Sequence, residues 1–392
     1  MPLKGKKLKS SKSKILHKEA KVYKFPAIRP DIMHTYLRHT DINQYMQYVS
    51  HRYPSFVTLH TIGMTYEHRP LMAIEIDCCY PKNPPGLAEN PGNLNSMRLI
   101  RISENRRDFV FIEGGTHARE WLTISVALNC IHQLTEKNVR HRDILEKLRF
   151  FIVPVVNPDG YEYAHSKNRS WRKNRRPTEN TKCIGIDCNR NYDVNWELGQ
   201  AKPFRSTFRG EAPFSEEETK AMRYALQTLG PNLLFFLSLH SHAQSILYPW
   251  GYRRELPKLW PYLQKVALAG REAIRKHSGR IFACGSIANA SNRLISGSVV
   301  DYAFGTIRVP LALVMELPSA DFGFHPPPNL IHILGNECWV GIREMCKSAM
   351  ELAPVIMPQL SDNPELIPKQ YFDSCRANIA ACRTRPDKSA PV

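Results

Sequence analysis

A histidine and a glutamate three residues apart, His117 and Glu120 in the segment GGTHAREW, could together bind a metal ion. This spacing brings both side chains to one face of a turn, and imidazole and carboxylate both suit a zinc ion. Alone the pair carries little information, because a chain with 15 histidines contains such a spacing about once by chance. Its position is more informative, since it follows the apolar run 109–112 and two glycines and precedes a helical segment.

Two residues of the same types stand at the ends of other apolar runs. His240 directly follows the run 233–239, and Glu316 lies near the end of the run 311–317. Ligands of open α/β sheets bind beyond the carboxyl ends of the strands, so these residues are expected to meet there. Considered without the other residues, His240 is more typical of a structural histidine that is hydrogen-bonded at a strand end. The four residues together favour a catalytic zinc site, with three protein ligands, an open position for water and a spare carboxylate as general base.

Two basic segments carry further candidate residues. Arg172 lies in HSKNRSWRKNRR, and Asn189 and Arg190 lie in CNRNYDVNW. An arginine can form two parallel hydrogen bonds with a carboxylate, which would suit a negatively charged substrate group. On these residues alone, a solvated charged loop remains an alternative for the first segment, and a turn with a surface arginine for the second.

The elements that must position these residues follow from apolar periodicity. A helix is predicted over 123–135, and a second is predicted to start at Ser215, with Glu218 completing a capping box, and to stop before Gly230. Several predicted strands are apolar on both faces, as in sheets covered on both sides. The sequence therefore predicts an α/β fold, a single domain with a mixed, mostly parallel central sheet covered by helices on both faces. The predicted strands are 71–76, 109–112, 150–156, 233–239 and 311–317.

The 392-residue chain is predicted to contain three parts. Residues 1–32 form a basic tail that is expected to be disordered, since the first 24 residues hold nine lysines and one acidic residue. Residues 33–355 form the catalytic domain, and 356–392 form a C-terminal extension that is expected to be loosely packed. Within the domain, 80–108 reads as a long surface loop. No apolar run is long enough to span a bilayer.

Charge and cysteine content narrow the possible partners and compartments only slightly. The net charge of +18 is compatible with nucleic acid, an anionic membrane surface or acidic substrates, and it does not choose among them. The ten cysteines are scattered and include no CxxC motif, so they are predicted to be reduced core residues rather than a disulfide framework.

Taken in order and with their separations, the motifs resemble those of zinc metallocarboxypeptidases of the pancreatic carboxypeptidase A/B type. The resemblance covers roughly residues 35–350 and rests on THAREW, NPDGYEY, RSWRKNR, GIDCNRNYD, SLHSHAQSILYPWGY and the MEL around Glu316. It implies a metallocarboxypeptidase with one zinc ion that acts on peptide or protein C-termini, and a monomer is expected.

The resemblance also implies roles for individual residues. It implies that His117, Glu120 and His240 bind the zinc ion and that Glu316 is the general base acting on zinc-bound water. Arg172 would polarise the scissile carbonyl and stabilise its oxyanion. The implied substrate-binding residues are Asn189 and Arg190 for the terminal carboxylate, Arg119 one subsite back, and His242 and Val300 near the released residue.

The sequence departs from the family at two tyrosine positions. His242 stands where a tyrosine usually follows the third ligand, and Arg293 falls nearest to the position of a mobile tyrosine. The missing phenol predicts reduced but real activity. Val300 occupies a position that is acidic in members preferring basic residues, which predicts release of aromatic or large aliphatic residues. Arg293 could instead favour Glu or Asp. The other aligned pocket positions are also apolar: Val314, Ile295, Ile287 and Gly251.

Two alternatives from other functional classes remain at this point. One is a weakly active or inactive carboxypeptidase-like protein that binds peptide C-termini, against which the retention of Glu316 and Arg172 argues. The other is a nucleic-acid-associated protein that uses the basic tail. An intracellular location is predicted because no signal peptide is visible and because Phe204 aligns with the family's disulfide partner of Cys183, although relatives are mostly secreted.

Overall fold

Eight strands occur in the part of the chain that the computed structural model describes, residues 29–78, 108–180, 182–318 and 322–362. In chain order they are β1 (Val57–Met64), β2 (Pro70–Ile76), β3 (Asp108–Glu113), β4 (Leu148–Val153), β5 (Leu233–Ser241), β6 (Ser245–Tyr248), β7 (Ala283–Ser286) and β8 (Leu311–Leu317). The helices are α1 (His39–Arg52), α2 (Trp121–Thr135), α3 (Arg142–Leu145), α4 (Pro158–Ser166), α5 (Glu217–Leu229), α6 (Trp260–Ser278), α7 (Ile287–Ala290), α8 (Val299–Gly305) and α9 (Ile331–Asp362).

The strands form one mixed sheet in the order β1-β2-β4-β3-β5-β8-β6-β7. The four central strands, β4, β3, β5 and β8, are parallel, and antiparallel pairs lie toward the edges. Nearly every residue of β3, β4 and β5 is buried, as expected for a sheet covered on both faces. Helices α2, α6 and α9 pack together against the sheet, and α5 and α8 pack on β1, β5 and β8. The predicted fold is therefore confirmed.

The core strands were predicted more accurately than the helix starts. All five predicted strands are present, although β4 ends at Val153, so that residues 154–156 belong to the turn beyond it. The helix predicted over 123–135 begins two residues earlier, at Trp121. The predicted capping box at Ser215 is wrong, because the Ser215 hydroxyl donates to the Glu216 carboxylate and α5 begins only at Glu217.

Packed structure extends beyond the predicted domain limits at both ends. Ile32 is buried in the core and Arg29 forms an ion pair with Glu136, so residues 29–32 pack against the domain rather than belonging to the tail. At the other end α9 continues to Asp362, and Ile356 within it is buried, so the extension predicted from 356 begins inside a helix. Residues 1–28, 79–107 and 363–392, where the predicted tail, loop and extension mostly fall, lie outside the described residues.

Six cysteines within the described ranges form no disulfide: Cys130, Cys188, Cys338 and Cys346 are buried, and Cys183 and Cys284 are half-buried. Across the same residues, no helix combines the length and apolar character needed to cross a membrane.

Candidate metal centre

The turn between β3 and α2 positions His117 and Glu120. Gly115 in this turn has φ +66°, and a Cβ there would lie 2.9 Å from the Ile124 side chain, so both conformation and space require glycine. The Gly115 N–H donates to the Thr123 hydroxyl at 3.0 Å, which fixes the turn against the start of α2. The chain can therefore reverse directly at the carboxyl end of β3.

His240 reaches the same place from the neighbouring strand. It lies near the end of β5, which runs parallel to β3, so both strands deliver their ends to one edge of the sheet. The Glu120 carboxylate lies 2.8 Å from His117 Nδ1 and 3.0 Å from His240 Nδ1, and the two Nδ1 atoms are 3.1 Å apart. All three side chains are buried. One cation could contact the three groups at once.

The outer ring nitrogens of both histidines have protein partners. His117 Nε2 lies 3.1 Å from Asp187 Oδ1, and His240 Nε2 lies 3.2 Å from Asn189 Nδ2. A carboxylate behind a ligating histidine orients its ring and raises its basicity. Asp187 was missed by the sequence reasoning, although it stands two residues before Asn189 in GIDCNRNYD, a segment already assigned to the site.

The electrostatics of the cluster favour a bound cation. Burial alone would raise the pKa of Glu120, but the two adjacent histidines lower it far below its usual range. Burial likewise opposes charge on His240, yet Glu120 raises the pKa of His240 to about 9. Without a cation, protonation of an imidazole would offset the Glu120 charge, and a metal ion would compete with that proton for the same atoms.

Glu316 lies beside this cluster. It is the register partner of His240 across the parallel pair β5 and β8, so the two side chains project to the same side of the sheet. Burial raises the pKa of Glu316 to about 6, with Glu120 adding to the rise while His240 and Arg172 oppose it. This is the predicted spare carboxylate, next to the three ligands but not one of them.

Arg172 lies near Glu120 and is held by the carboxylate of Asp187. Its Nε donates to Asp187 Oδ2 at 2.9 Å, and its Nη1 lies 3.8 Å from Glu120 Oε1. Its carbonyl accepts from Ala118 N at 3.0 Å, which ties its segment to the ligand-bearing turn. Asp187 therefore orients both His117 and Arg172.

Arg119 extends from the same turn toward a different neighbour. Its guanidinium stacks on the Phe324 ring, 4.1 Å from the centroid, and its carbonyl accepts from Arg169 Nη1 at 2.7 Å. His242 also contacts Phe324, with ring centroids 4.5 Å apart. Arg119 and His242, two of the five residues predicted to bind substrate, thus share one aromatic neighbour.

Asn189 and Arg190 lie between the metal cluster and helix α8. Asn189 Oδ1 accepts from Val299 N at 2.9 Å, so its amide connects His240 with the first turn of α8, while one hydrogen on its nitrogen remains available. Gly297 has φ +66°, and a Cβ there would come within 2.3 Å of the Arg190 carbonyl. The close packing of this loop therefore holds the backbone from which Arg190 projects.

Val300 is buried in α8 and lies beside a carboxyl group that the sequence reasoning did not single out. Asp301 accepts from Gly251 N at 3.1 and 3.0 Å, and burial raises the pKa of Asp301 to about 7. A Cβ on Gly251 would also contact Ile287 and Ile295, two of the predicted pocket residues. Arg293 is exposed on the loop before this region. Three of the predicted pocket residues, Gly251, Ile287 and Ile295, thus lie together, and the Asp301 carboxylate beside them accepts from the Gly251 N–H.

The donor set fits a zinc ion. Two imidazole nitrogens and a carboxylate oxygen lie within 4.8 Å of one another, which is the arrangement expected of three zinc ligands with a fourth position left for solvent or substrate. Asp187 behind His117 supplies the outer partner that ligating histidines commonly have. Of the described residues, no other group of three potential ligands comes this close together.

Comparison with known proteins identifies the family. The sequence model of the family described as zinc carboxypeptidase matches residues 42–341. A carboxypeptidase B from Helicoverpa zea is 32% identical over 312 residues, which cover 77% of this chain and 67% of that protein. An inactive metallocarboxypeptidase from Saccharomyces cerevisiae is 29% identical over 317 residues, covering 78% of this chain and 69% of that protein.

A solved structure agrees with these relatives. The crystal structure of the carboxypeptidase A from Helicoverpa armigera matches with a TM-score of 0.71 at 26% identity, covering 81% of this chain and 74% of that chain. The similar proteins thus carry the names carboxypeptidase A and carboxypeptidase B, and one is inactive. Similarity supports the family and the fold, and it leaves the preferred C-terminal residue to be argued from the pocket.

Proposed function

Because this chain belongs to the zinc carboxypeptidase family, we propose that it hydrolyses the C-terminal peptide bond of peptides or proteins. The observation that carries the proposal is the arrangement of Glu316 and Arg172 around the cluster of His117, Glu120 and His240. A protein that merely bound peptide ends would need a fixed cation for the carboxylate, but not a general base with a raised pKa.

Glu316 is proposed to move the protons of the reaction. Zinc, when bound, supplies a Lewis acid that polarises the substrate carbonyl and makes water more acidic. Glu316 accepts a proton from the attacking water and then delivers it to the nitrogen of the departing amino acid. A carboxylate with a pKa of about 6 is suited to both steps, because it is ionised at neutral pH and yet holds a proton more firmly than an exposed glutamate.

Arg172 is proposed to stabilise the oxyanion that develops on the scissile carbonyl. The Asp187 carboxylate holds both Nε and Nη2 at 2.9 Å and leaves Nη1, which lies 3.8 Å from Glu120 Oε1, toward the cluster. A donor that is already oriented needs no reorganisation when charge develops, and such a donor contributes about 3 kcal/mol in comparable sites. Arg172 is therefore assigned as the electrostatic partner of Glu316.

The terminal carboxylate is assigned to Arg190 with Asn189, and the released side chain to the pocket around Val300. We propose that aromatic or large aliphatic residues are preferred, since this part of the pocket carries apolar side chains and the Asp301 carboxylate is engaged by Gly251. His242 stands near the cluster where the family has tyrosine, so turnover is expected to be reduced rather than absent.

A panel of blocked dipeptides that differ in their C-terminal residue tests the activity and the preference together. The zinc-loaded protein should cleave peptides ending in Phe or Leu fastest, and both a chelator and Glu316→Gln should abolish turnover. The substitution Val300→Asp should shift the preference toward Lys and Arg, with Val300→Leu as the matched apolar control. Fastest cleavage of Lys or Arg peptides by the unmodified protein would contradict the pocket assignment.

The similarity to an inactive relative supports one alternative, a protein that binds peptide C-termini without cleaving them. Such a protein would bind zinc and a C-terminal peptide, would lose that binding when Arg190 is replaced by Gln, and would release no amino acid from any peptide of the panel. Measured release that disappears with Glu316→Gln would exclude it.

A further inference from the structure

An open cavity of about 350 Å³ adjoins the metal centre, and none of the Val300 pocket residues lines it. Its walls come from four parts of the chain: Arg119 in the ligand-bearing turn, residues 168 and 170–173, residues 182–184, and residues 203, 204 and 206. Arg119 and Arg172 belong both to this cavity and to the surroundings of Glu120, so the cavity opens directly from the site of the reaction.

The cavity walls carry more positive than negative charge. Four cationic side chains line it, and no carboxylate is found among its described lining residues; the four are Arg119, Arg172, Lys173 and Lys182. Of these four cations, Arg172 is neutralised by Asp187, whereas Glu211 behind the wall forms its ion pair with Arg176. The field inside the cavity is therefore positive.

Two of the four cations have unused hydrogen-bonding capacity. Arg172 is bound to Asp187, and the Lys173 ammonium donates to the Pro203 carbonyl at 2.9 Å. The Arg119 Nε is buried and has no hydrogen-bond partner among the described residues. Lys182 is exposed, and its ammonium is found in no ion pair within the described part of the chain. Lys182 is thus available to an incoming anion, and Arg119 could offer its Nε to one after a movement of its side chain.

The cavity also has an apolar lining that could contact the stem of a side chain. Trp171 and Ile184 contribute to it, and Phe204 is 67% exposed at its rim. A short aliphatic stem ending in a carboxylate would match both the apolar surface and the cations, whereas a basic side chain would meet like charge. The net charge of +18 adds a long-range attraction for acidic peptides.

We propose that this cavity binds acidic side chains of the substrate on the N-terminal side of the cleaved bond. The enzyme would then favour peptides with Glu or Asp two to four residues before that bond, in addition to its preference for the released residue. The proposal rests on the proposed carboxypeptidase activity, since that activity places the released residue at the Val300 pocket and the remainder of the peptide on the cavity side.

The test uses the zinc-loaded full chain and blocked peptides with the same apolar C-terminal residue and Glu, Gln or Lys at one upstream position. The Glu peptide should have a kcat/KM about threefold to tenfold above that of the Gln peptide at low salt, and the ratio should approach one at high salt. Lys182→Gln should lower the Glu-to-Gln ratio and leave cleavage of the Gln peptide unchanged. Lys265→Gln in helix α6, which removes the same charge outside the cavity, should leave the ratio unchanged.

The outcomes separate the two proposals. Cleavage of the Gln peptide without a Glu preference, or a ratio that Lys182→Gln and Lys265→Gln change equally, overturns the cavity proposal and retains the activity. Absence of cleavage of every peptide overturns the activity. The cavity is then tested by binding of the same peptides to the Glu316→Gln protein, where tighter binding of the Glu peptide that depends on Lys182 supports it and equal binding overturns it.

Discussion

Two buried glutamates, Glu120 in the metal centre and Glu218 in helix α5, have pKa values that are shifted in opposite directions. Burial raises the pKa of both. The histidines beside Glu120 reverse that effect and lower its pKa, whereas the pKa of Glu218 rises to about 8 because Glu216 and Asp159 add to the effect of burial. Glu218 has one partner, Asn174 Nδ2 at 3.2 Å, and that amide also serves Glu216 at 2.7 Å.

The comparison shows that burial alone does not identify a functional carboxylate. Neighbours decide whether the group stays ionised and can hold a cation, or becomes neutral and is held in the interior by an amide. Glu316 is intermediate, with a pKa of about 6 set by burial and by charges of both signs. The same Glu→Gln change is therefore expected to have different consequences at these glutamates.

The largest effect is expected for Glu316→Gln. The amide cannot accept the proton from water, so kcat/KM should fall by about 10²- to 10⁴-fold while zinc content stays at one ion per chain. Steady-state kinetics on a Phe-ending peptide and metal analysis of the same preparation measure both quantities. An active Glu316→Gln protein would remove Glu316 from the mechanism.

A smaller effect is expected for Asp187→Asn, which keeps the shape of the group behind His117 and removes its charge. Zinc affinity should fall by about 10- to 100-fold, because the outer partner of a ligating histidine orients the ring and raises its basicity. Competition with a chelator of known affinity measures the change. Asp193→Asn, three residues beyond Arg190, is the control. An equal loss of zinc affinity in both variants would contradict a specific role of Asp187 behind His117.

The pH dependence of activity should reveal the intermediate acidity of Glu316. Protonated Glu316 cannot act as a base. On the acidic side of the pH profile, kcat/KM should therefore decline by about tenfold per pH unit, with an apparent pKa no higher than about 6. A bound cation would lower that apparent pKa further. A pH series at saturating zinc measures it. The acidic decline should persist in Glu316→Asp. An apparent pKa of 7 or above for this decline would contradict the assignment.

The smallest effect is expected for Glu218→Gln and concerns stability rather than activity. Because the folded-state pKa of about 8 exceeds the ordinary value of 4.5, the folded protein holds this proton more firmly. The free energy of unfolding should therefore decline as the pH rises from about 5 to 8, by at most about 1.4 kcal/mol per pH unit from this group.

Urea unfolding at several pH values measures that slope. Glu218→Gln should flatten it, while Glu217→Gln on the exposed side of the same helix should not. Asp301, whose pKa burial raises to about 7, contributes a slope of the same sign and should remain visible in both variants. An unchanged slope in Glu218→Gln would mean that this carboxyl is ionised in the folded protein.

The sequence predicted the ligand-bearing parts of the fold because long apolar strands leave a strong pattern. His240 and Glu316 could be placed side by side, since both lie at the carboxyl ends of buried parallel strands. Strands β1, β6 and β7 were missed. Strand β1 lies at the edge of the sheet and is only partly buried, so it lacks a continuous apolar run, and β6 and β7 have four residues each, too few for a periodic signal. The start of α5 was misplaced because Ser215 has a competing partner in its neighbour Glu216.

Residues that act through another side chain were harder to find. Asp187 stands next to predicted site residues, yet its role depends on contacts with His117 and Arg172, which are 70 and 15 positions away. Asp301 was likewise not predicted, because its carboxylate accepts from the backbone N–H of Gly251, which is 50 positions away in the sequence. Spacing in the sequence shows which types of residue are present, whereas such partnerships depend on how the loops fold over one another.

The amide of Asn189 would couple the proposed substrate pocket to the metal centre. On one side it meets a ring nitrogen of His240, and on the other it accepts the first backbone N–H of the helix that carries Val300. A side chain too bulky for the pocket would press on that helix, and the strain would reach the catalytic cation through a single group. An ill-fitting residue should therefore slow turnover itself, and not merely bind less tightly.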